Sequence, residues 1–395
     1  MMQGADFVFT GLQSWDMTFG SNARDIALEV AKHNRVLYVN SPRSMLSQSN
    51  AAAADDVQRS KVVRGVVPAL RQMGNNLWVL DYPFTILPTN FLSDGLLFDI
   101  VNRYNNRRMY SFVKKILNSL HFSDYILFID NDMYHSFYAK EYLNAALAIY
   151  YRRDNLSTGY WLRHSCRIEP LLCAKCDAVV ANSKQLALAV QPYNPHTVDI
   201  GQGVCLDNYD PERNYDLPAD MSSIPHPIIG YTGMLTTQRL DLDLVYTLAQ
   251  SMSSYSFVLV GGQDEQCAAH ELHNLKNVYF LGLKEFSTMA QYIASFDVCI
   301  NPQLLNEVTV GNYPRKVDEY LALGKPVVAT ATDTMTLFRD YTWICQGVEQ
   351  YRQAIEQALL TVDDGPKKSA RVAFAHTHTW QNSVAKLYNV INQVQ

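Results

Sequence analysis

The sequence has few of the features that mark secreted, membrane-spanning and nucleic-acid-binding proteins. Seven cysteines among 395 residues are too few for a disulfide scaffold, and their odd number favours reduced thiols. No apolar run reaches the ~20 residues that a membrane-spanning helix needs. The formal net charge is -5, and the charged residues are mixed instead of forming a basic block, so we expect no nucleic-acid partner.

The first residues, MMQGADFVFTGLQSWD, do not resemble a signal peptide because acidic and polar residues interrupt them early. We therefore expect a cytoplasmic protein. A basic amphipathic helix that would dock on a membrane is not evident in the sequence. Peripheral association with the inner face of a membrane is kept as an open alternative.

One segment, HSCRIEPLLCAKC, contains four residues that could be drawn as zinc ligands. They are His164, Cys166, Cys173 and Cys176. The segment has the pattern of one amphipathic helix, however, and Cys173 and Cys176 fall three residues apart on its apolar side. We favour core cysteines here and expect no metal site.

Strand-like segments alternate with amphipathic helices along most of the chain, which predicts an α/β protein with doubly wound parallel sheets. The predicted strands include ADFVFTG, RVLYVN, NLWVLDY, YILFID, LAIYYRRD and DAVVANS in the first half, and IIGYTG, SFVLVGG, NVYFLG, DVCINP and VVAT in the second. A chain of this length exceeds one ordinary core, so we expect two domains.

The segment 206–227 is rich in Pro and Asp and lacks periodicity, which predicts a linker between the domains. The predicted domains are then 1–205 and 228–375. A last helix, beginning near Trp380 within 376–395, is predicted to return to the first domain. Two such domains facing each other would leave a central cleft between the carboxyl ends of both sheets, where ligands of this fold class bind.

The stretch NEVTVGNYPRKVDEYLALGKPVVAT, residues 306–330, predicts a loop, a helix, a turn and a buried strand. Pro314 suits the first helical turn and Asn312 suits its cap. Lys316 and Glu319, three residues apart, would share a face near the helix N-terminus, where an anion is favoured. The alternative is a solvated helix face that carries one ion pair.

Four segments together resemble the nucleotide-sugar half of GT-B glycosyltransferases, most closely family 4. They are GYTGMLTTQRLDLDLV, FVLVGG, NVYFLGLKEFSTMAQYIASFDVCINP and YPRKVDEYLALGKPVVAT. The first half is similar more weakly, through SNARDIALEVAKHNRVLYVN, CDAVVANSKQL and IGQGV. The resemblance implies two Rossmann-like domains and a hexosyltransferase that moves a sugar from a nucleotide-diphosphate donor, with retention and without a cofactor or metal.

The resemblance also implies roles for particular residues. Gly233 would let backbone approach the donor diphosphate, and Arg239 and Lys316 would pair with its phosphate oxygens. Glu319 would accept hydrogen bonds from the ribose hydroxyls, and backbone around Leu283 would touch the base. Gly261, at the end of a strand, is either part of this site or only a turn.

The chain departs from the family pattern in the loop before Glu319. Where the family has a first glutamate this chain has Gly311, and Glu307 is the nearest acidic candidate. Backbone N–H groups at Thr309, Gly311 and Asn312 are predicted to approach the sugar instead. An arginine usual in the family is also missing, and Lys316 would replace it as the second cation. This pattern resembles the subgroup that builds bacterial surface polysaccharides such as teichuronic acid.

In the first half, His135 follows the strand YILFID at a place where the family often has a histidine on the acceptor side. We therefore expect His135, or Asp132 beside it, near a glycan or lipid-linked acceptor. The same residues, in DNDMYHSFY, are equally typical of a capped helix start. Two other functions stay open: a GT-B nucleotide-sugar epimerase, and a catalytically silent partner in glycan assembly.

Overall fold

A computed structural model describes residues 2–17, 21–46, 54–89, 91–154, 159–306, 309 and 313–395. Contacts divide the chain into two compact units. One contains the residues up to Gly201 together with Trp380–Gln395, and the other contains Gln202–Thr379. Each unit has its own sheet and its own core, and each is described in turn.

The sheet of the first unit has eight strands. These are β1 (Asp6–Gly11), β2 (Arg35–Val39), β4 (Leu70–Gly74), β5 (Leu77–Leu80), β7 (Ile126–Asp130), β8 (Leu147–Arg152), β9 (Ala178–Ala181) and β10 (Thr197–Asp199), while β3 (Arg43–Ser44) and β6 (Thr85–Ile86) form a separate pair. Their order across the sheet is β10-β9-β8-β7-β1-β2-β5-β4. All neighbours are parallel except β4 and β5, which form a hairpin around Asn75 and Asn76.

Helices cover both faces of this sheet. They are α1 (Asn22–Ala31), α2 (Ala54–Val63), α3 (Leu96–Ser119), α4 (Ala139–Leu143), α5 (Gly159–Lys175) and α6 (Lys184–Val190), with α13 (Trp380–Val394) from the end of the chain. Side chains of β1 alternate between two cores: Phe7 and Phe9 pack on the face of α1 and α13, and Val8 packs on the other face. Burial on both faces confirms the doubly wound prediction.

The second unit has a parallel sheet of six strands. These are β11 (Ile228–Thr232), β12 (Ser256–Val260), β13 (Val278–Gly282), β14 (Val298–Asn301), β15 (Val327–Thr330) and β16 (Trp343–Cys345), in the order β13-β12-β11-β14-β15-β16. Its helices are α7 (Leu242–Ser251), α8 (Glu265–Ala268), α9 (Met289–Ala294), α10 (Arg315–Ala322), α11 (Gly347–Leu359) and α12 (Gly365–Ala375). Ile228 and Ile229 enter opposite cores, as in the first unit.

The segment 206–227, predicted as a linker, packs on the second unit. Four of its side chains are buried in the same core as residues of α10 and β11: Leu206, Tyr209, Met221 and Ile224. Sparse apolar residues in a Pro-rich segment show no period, so the sequence pattern did not reveal that they anchor it.

The helix α13 packs in the first unit through Trp380, Val384 and Leu387. Its Tyr388 hydroxyl accepts a hydrogen bond from Asn34 at 2.9 Å. Among the described residues, no helix combines the length and apolar content needed to cross a membrane.

Candidate functional site

Glycines stand at the carboxyl ends of three neighbouring strands of the second unit. Gly233 follows β11 with φ 131°, Gly261 follows β12, and Gly282 ends β13. The Gly233 N–H donates to Val260 and the Gly261 N–H donates to Gly282, both at 2.9 Å. A Cβ on Gly261 would lie 1.9 Å from the Gly233 carbonyl oxygen. At Gly233 and Gly261 there is therefore no room for a side chain, whereas a Cβ on Gly282 would meet open space.

Lys316, near the start of α10, lies against this glycine edge. Its Nζ donates to the Tyr231 hydroxyl at 2.5 Å and lies 3.8 Å from the centroid of the same ring. A Cβ on Gly233 would lie only 2.7 Å from this Nζ. The Tyr320 hydroxyl accepts the Thr232 N–H at 2.8 Å, which ties α10 to β11. The structure thus brings Lys316 to Gly233 and holds a cation at bare backbone.

Glu319 follows Lys316 on α10 and is partly buried. Burial raises the pKa of its carboxyl to about 7, although the nearby Arg315 and Lys316 favour the ionised form. Burial and the charge of Glu319 also raise the pKa of the Tyr209 phenol. Near neutral pH the Glu319 side chain therefore populates both protonation states.

Asp318 lies between Lys316 and Glu319 in the sequence, and the sequence analysis did not predict its structural role. It is fully buried, it accepts a hydrogen bond from the Tyr313 hydroxyl at 2.8 Å, and it lies 2.8 Å from His378 Nδ1. Burial raises the pKa of Asp318, and His378 opposes that rise. These contacts fasten the start of α10 to the segment after α12. The helix itself begins at Arg315, with Pro314 at the cap position instead of in the first turn.

Arg239 lies in the loop between Gly233 and α7, and its side chain is exposed. The backbone N–H of Arg239 donates to the Thr236 carbonyl at 3.0 Å, and the backbone carbonyl of Arg239 accepts the Leu304 N–H at 2.9 Å. Within the part of the chain that the structure describes, its guanidinium forms no ion pair. The loop backbone is fixed while the guanidinium points into solvent, so the structure does not bring Arg239 against Lys316.

Thr309 is buried inside the loop that follows β14. Its hydroxyl donates to Leu304 at 2.5 Å, its N–H donates to Asn306 Oδ1 at 3.0 Å, and its carbonyl accepts from Gln303 at 3.1 Å. The N–H is already paired inside the loop, in contrast to the predicted contact with a sugar. Glu307, Gly311 and Asn312 lie outside the described residues. Leu283, just beyond β13, is 64% exposed.

In the first unit, Asp132 and His135 lie just beyond the carboxyl end of β7. Asp132 Oδ1 accepts the N–H groups of Tyr134 and His135 at 3.2 and 3.0 Å, and its Oδ2 lies 3.0 Å from His135 Nδ1. Burial disfavours the imidazolium, but Asp132 outweighs that effect and raises the pKa of His135. Asp132 therefore orients the ring and engages Nδ1, which leaves Nε2 as the nitrogen that it does not engage.

The same edge contains polar residues that the sequence reasoning did not select as site residues. Asp130 is fully buried, and its Oδ1 accepts from Arg153 Nε at 2.8 Å. Its Oδ2, and Nδ2 of the buried Asn131, have no hydrogen-bond partner among the described residues. Burial raises the pKa of Asp130 to about 6, against the effect of Arg153. The strings DND and RRD, which follow adjacent parallel strands, were the available signal.

No group of three or more His, Cys, Asp or Glu side chains within the described ranges could hold a metal ion. Of the segment first drawn as zinc ligands, Cys173 and Cys176 are buried in the core and Cys166 is exposed. His164 stacks on Phe98 with ring centroids 3.9 Å apart, and its Nδ1 lies 3.1 Å from Asp94.

Comparison with known proteins adds family and fold information. Residues 226–361 match the family model described as glycosyl transferases group 1. Over 161 residues the chain is 26% identical to a protein of Bacillus subtilis named as a teichuronic acid biosynthesis glycosyltransferase, TuaH. That alignment covers 39% of this chain and 40% of the relative, so it spans well under half of either protein.

Solved structures cover nearly the whole chain. HepE of Anabaena, solved with UDP and glucose, aligns with a TM-score of 0.64 and 18% identity over 98% of this chain and 100% of that one. Sucrose-phosphate synthase of Thermosynechococcus elongatus aligns with a TM-score of 0.67 and 13% identity, over 99% of each chain. A trehalose-6-phosphate protein of E. coli, bound with UDP-2-fluoro glucose, aligns with a TM-score of 0.68 and 10% identity, also over 99% of each. The fold of the chain is GT-B.

Proposed function

We propose that this protein transfers a sugar from a nucleotide-diphosphate donor to an acceptor hydroxyl. Its residues 226–361 match the group 1 glycosyl transferases, and its fold is GT-B. The observation that carries this proposal is the position of Lys316, whose ammonium lies 2.7 Å from where a Cβ on Gly233 would stand. A cation beside side-chain-free backbone suits a diphosphate, because phosphate oxygens can reach both the ammonium and the backbone.

On the donor side, Lys316 stabilises the negative charge that develops on the leaving nucleotide. Its Tyr231 partner holds the ammonium in place, so little reorganisation is needed as charge builds. Arg239 is exposed on the loop after Gly233, and it supplies a second cation when the loop meets the donor. Two cations and the N-terminus of α10 then do the work for which other transferases use a metal ion.

Glu319 binds the ribose hydroxyls in this scheme. Only the ionised carboxylate offers acceptors at both oxygens, and the pKa of about 7 places that ionisation at physiological pH. The arrangement predicts that nucleotide affinity falls as the pH is lowered from 8 to 6, because the protonated side chain loses acceptor capacity. The backbone near Leu283 lies against the base.

On the acceptor side, His135 contacts the acceptor hydroxyl that receives the sugar. Asp132 sets the orientation of the His135 ring. The acceptor is a glycan or a lipid-linked glycan, the reaction proceeds with retention, and the product serves bacterial surface polysaccharide or glycoconjugate synthesis. Support for this part comes from the resemblance to TuaH, which is named for teichuronic acid biosynthesis. The UDP in the HepE structure makes UDP the first nucleotide to test.

A nucleotide-sugar epimerase is the second candidate, and one observation favours it. Asp130 ends β7, Asp132 and His135 follow it, and Arg153 pairs with both Asp130 and Asp154. An epimerase needs several such groups to move protons and water at the sugar. Incubation of radiolabelled UDP-sugar alone separates the two: an epimerase converts the sugar without acceptor, whereas a transferase turns over only when acceptor is added.

The nucleotide is tested by thermal unfolding with UDP, GDP, ADP, TDP and CMP, on the native chain and on Lys316→Ala. A ligand at ~100 times its dissociation constant stabilises by roughly 2.7 kcal/mol, which is a measurable shift of the midpoint. We expect one diphosphate to shift the native midpoint and Lys316→Ala to lose the shift. If no nucleotide shifts the native midpoint, the proposal fails and the silent-partner reading takes its place.

A further inference from the structure

The first unit carries an exposed apolar surface around the start of α3. Five apolar side chains there are between 54% and 76% exposed: Phe91, Leu96, Leu97, Ile100 and Tyr104. Single exposed apolar residues are ordinary, but a contiguous group of this size marks a binding surface.

Two further segments with exposed apolar side chains lie beside α3, on the side of the helix that carries the buried Asn105. The Asn105 side chain of α3 forms two hydrogen bonds with the backbone of Leu87, at 3.0 and 2.8 Å, so that Leu87 lies beside the helix. The Met45 N–H donates to Ile86 at 2.9 Å, which places Met45 next to the same segment. Met45 and Leu46 are 60% and 69% exposed. We call the surface formed by the five exposed side chains around the start of α3 the apolar patch.

Basic residues continue the same helix face beyond the apolar patch. Arg103, Arg107, Arg108, Lys114 and Lys115 are all exposed. At 100° per residue they fall within the same sector as Leu96, Ile100 and Tyr104. Arg103 and Arg108 also contact aromatic rings, but Arg107, Lys114 and Lys115 form no ion pair within the described part of the chain.

The two acidic residues described near the start of α3 do not offset this charge. Asp94 and Asp99, near the start of α3, are both bound by Arg167 at 2.6 and 2.8 Å. The chain as a whole carries a formal charge of -5, so a stripe of five cations on one helix face is a local exception. A surface that is apolar at one end and cationic along the rest matches an anionic lipid bilayer, which offers acyl chains and phosphates together.

We propose that the exposed face of α3, with the apolar patch, docks the first unit on an anionic lipid bilayer. The apolar patch enters the acyl boundary, and the five basic side chains contact lipid phosphates. This differs from the expectation drawn from the sequence, in which no docking helix was evident. The pattern was hidden because the apolar and basic residues occupy successive halves of one face instead of opposite faces.

The position of the apolar patch also gives docking a purpose, and this part alone rests on the proposed function. Asp94 lies against His164, whose ring makes an edge contact with Tyr134 at 5.5 Å between centroids. Tyr134 in turn lies between Asp132 and His135 along the chain. The apolar patch is therefore at the same edge of the sheet as the proposed acceptor residues, which suits a lipid-linked acceptor presented from the bilayer.

The test is flotation of the full chain with vesicles of phosphatidylcholine, alone or with 30% phosphatidylglycerol, at 50 and 500 mM salt. The apolar variant is Leu96→Ser with Leu97→Ser, and its matched control is Leu188→Ser with Leu360→Ser, two leucines that are also exposed. The basic variant is Arg107→Gln, Lys114→Gln and Lys115→Gln. All of these side chains are exposed, so folding is expected to be retained.

We expect the native chain and the matched control to float with anionic vesicles at low salt only. The basic variant should partition on the order of 100-fold less, from three lost phosphate contacts. The apolar variant should partition at least about tenfold less. Absence of vesicle binding by the native chain, or equal binding by all variants, overturns the proposal.

Two further readouts keep the outcomes apart. If the apolar patch binds protein instead, light scattering will show a concentration-dependent dimer that the apolar variant loses without vesicle binding, which also overturns the proposal. The nucleotide-induced midpoint shift, measured on every variant, reports on the donor site separately. Vesicle docking without any nucleotide shift would contradict the transferase proposal and leave docking intact.

Discussion

The two sheets end in opposite ways at their carboxyl edges. In the second unit the three neighbouring strands β11, β12 and β13 end at glycines whose backbones hydrogen-bond to the next strand, and the ammonium of Lys316 lies beside Gly233. In the first unit the corresponding edge is crowded with polar side chains, including the buried Asp130 and Asp132. The same parallel architecture thus presents bare backbone in one unit and charged side chains in the other.

This difference matches two chemical tasks. A diphosphate is large and carries its own charge, so its site needs space, N–H groups and a cation. An acceptor hydroxyl is small and neutral, and its site needs an oriented group that can take up a proton. Burying carboxylates for that purpose is costly, which is why the pKa of Asp130 rises to about 6.

The largest effect should come from placing a side chain on the bare edge. In Gly261→Ala the new Cβ would lie 1.9 Å from the Gly233 carbonyl oxygen. We expect the free energy of unfolding to fall by about 3 kcal/mol, measured by urea denaturation, and nucleotide binding to be lost. In the neighbouring control, Gly262→Ala, the Cβ meets only the Met234 side chain at 3.2 Å and should cost under about 1 kcal/mol. Equal losses in the two variants would contradict this description of the edge.

The next largest effect should come from removing the Lys316 ammonium beside Gly233. In Lys316→Ala we expect kcat for sugar transfer to fall by about 10²–10³, because a donor to the developing charge is lost. Lys316→Arg should retain part of the activity. The control is Lys276→Ala, an exposed lysine elsewhere in the second unit, which should be unaffected. Full activity in Lys316→Ala would remove the contrast between the two edges.

A smaller effect is expected at the crowded edge. In His135→Gln we expect transfer to acceptor to fall by about 10², through loss of the proton acceptor. Asp132→Asn should follow in the same direction, because the ring loses its orientation. Both variants should keep the native nucleotide-induced midpoint shift, and His33→Gln, an exposed histidine in the same unit, should behave as native. Loss of nucleotide binding in His135→Gln would show that the two edges do not divide the tasks as proposed.

The smallest effect concerns the pH dependence of stability. Burial raises the pKa of Glu319 from 4.5 to about 7, so the proton-bound form favours the folded state. This contribution is complete below pH 4.5 and is lost as the pH rises through 7. Relative to Glu319→Gln, the native chain should therefore lose roughly 2 kcal/mol of unfolding free energy between pH 5 and pH 8.5. A difference between the two chains that does not change with pH would contradict the burial of this carboxyl.

The sequence predicted the sheets well because their strands are apolar runs bounded by caps and turns. Ser21, of a residue type favoured at helix caps, precedes α1 and accepts the Arg24 N–H at 3.1 Å. The edge strand β4 was missed because its polar residues show no apolar run, although the pair Asn75-Asn76 is a hairpin signal. Its direction, antiparallel to β5, follows from that short turn.

The candidate site was only partly predictable. Family resemblance selected Gly233 and Lys316, and the structure brings them together. It could not reveal that Tyr209, from the supposed linker, lies close enough to Glu319 for the two to affect each other's pKa, because that contact joins positions 110 residues apart. Nor could it reveal the Asp318–His378 contact, since neither residue belongs to a local pattern.

The proposed diphosphate site at the glycine edge is tested by calorimetric titration of the native chain and of Lys316→Ala with a nucleoside diphosphate and its monophosphate, beginning with UDP and UMP. We expect the native chain to prefer the diphosphate, and Lys316→Ala to reduce this preference by about tenfold or more while monophosphate affinity changes little. An unchanged preference in Lys316→Ala, or no nucleotide binding by the native chain, would contradict the assignment of the glycine edge as a diphosphate site.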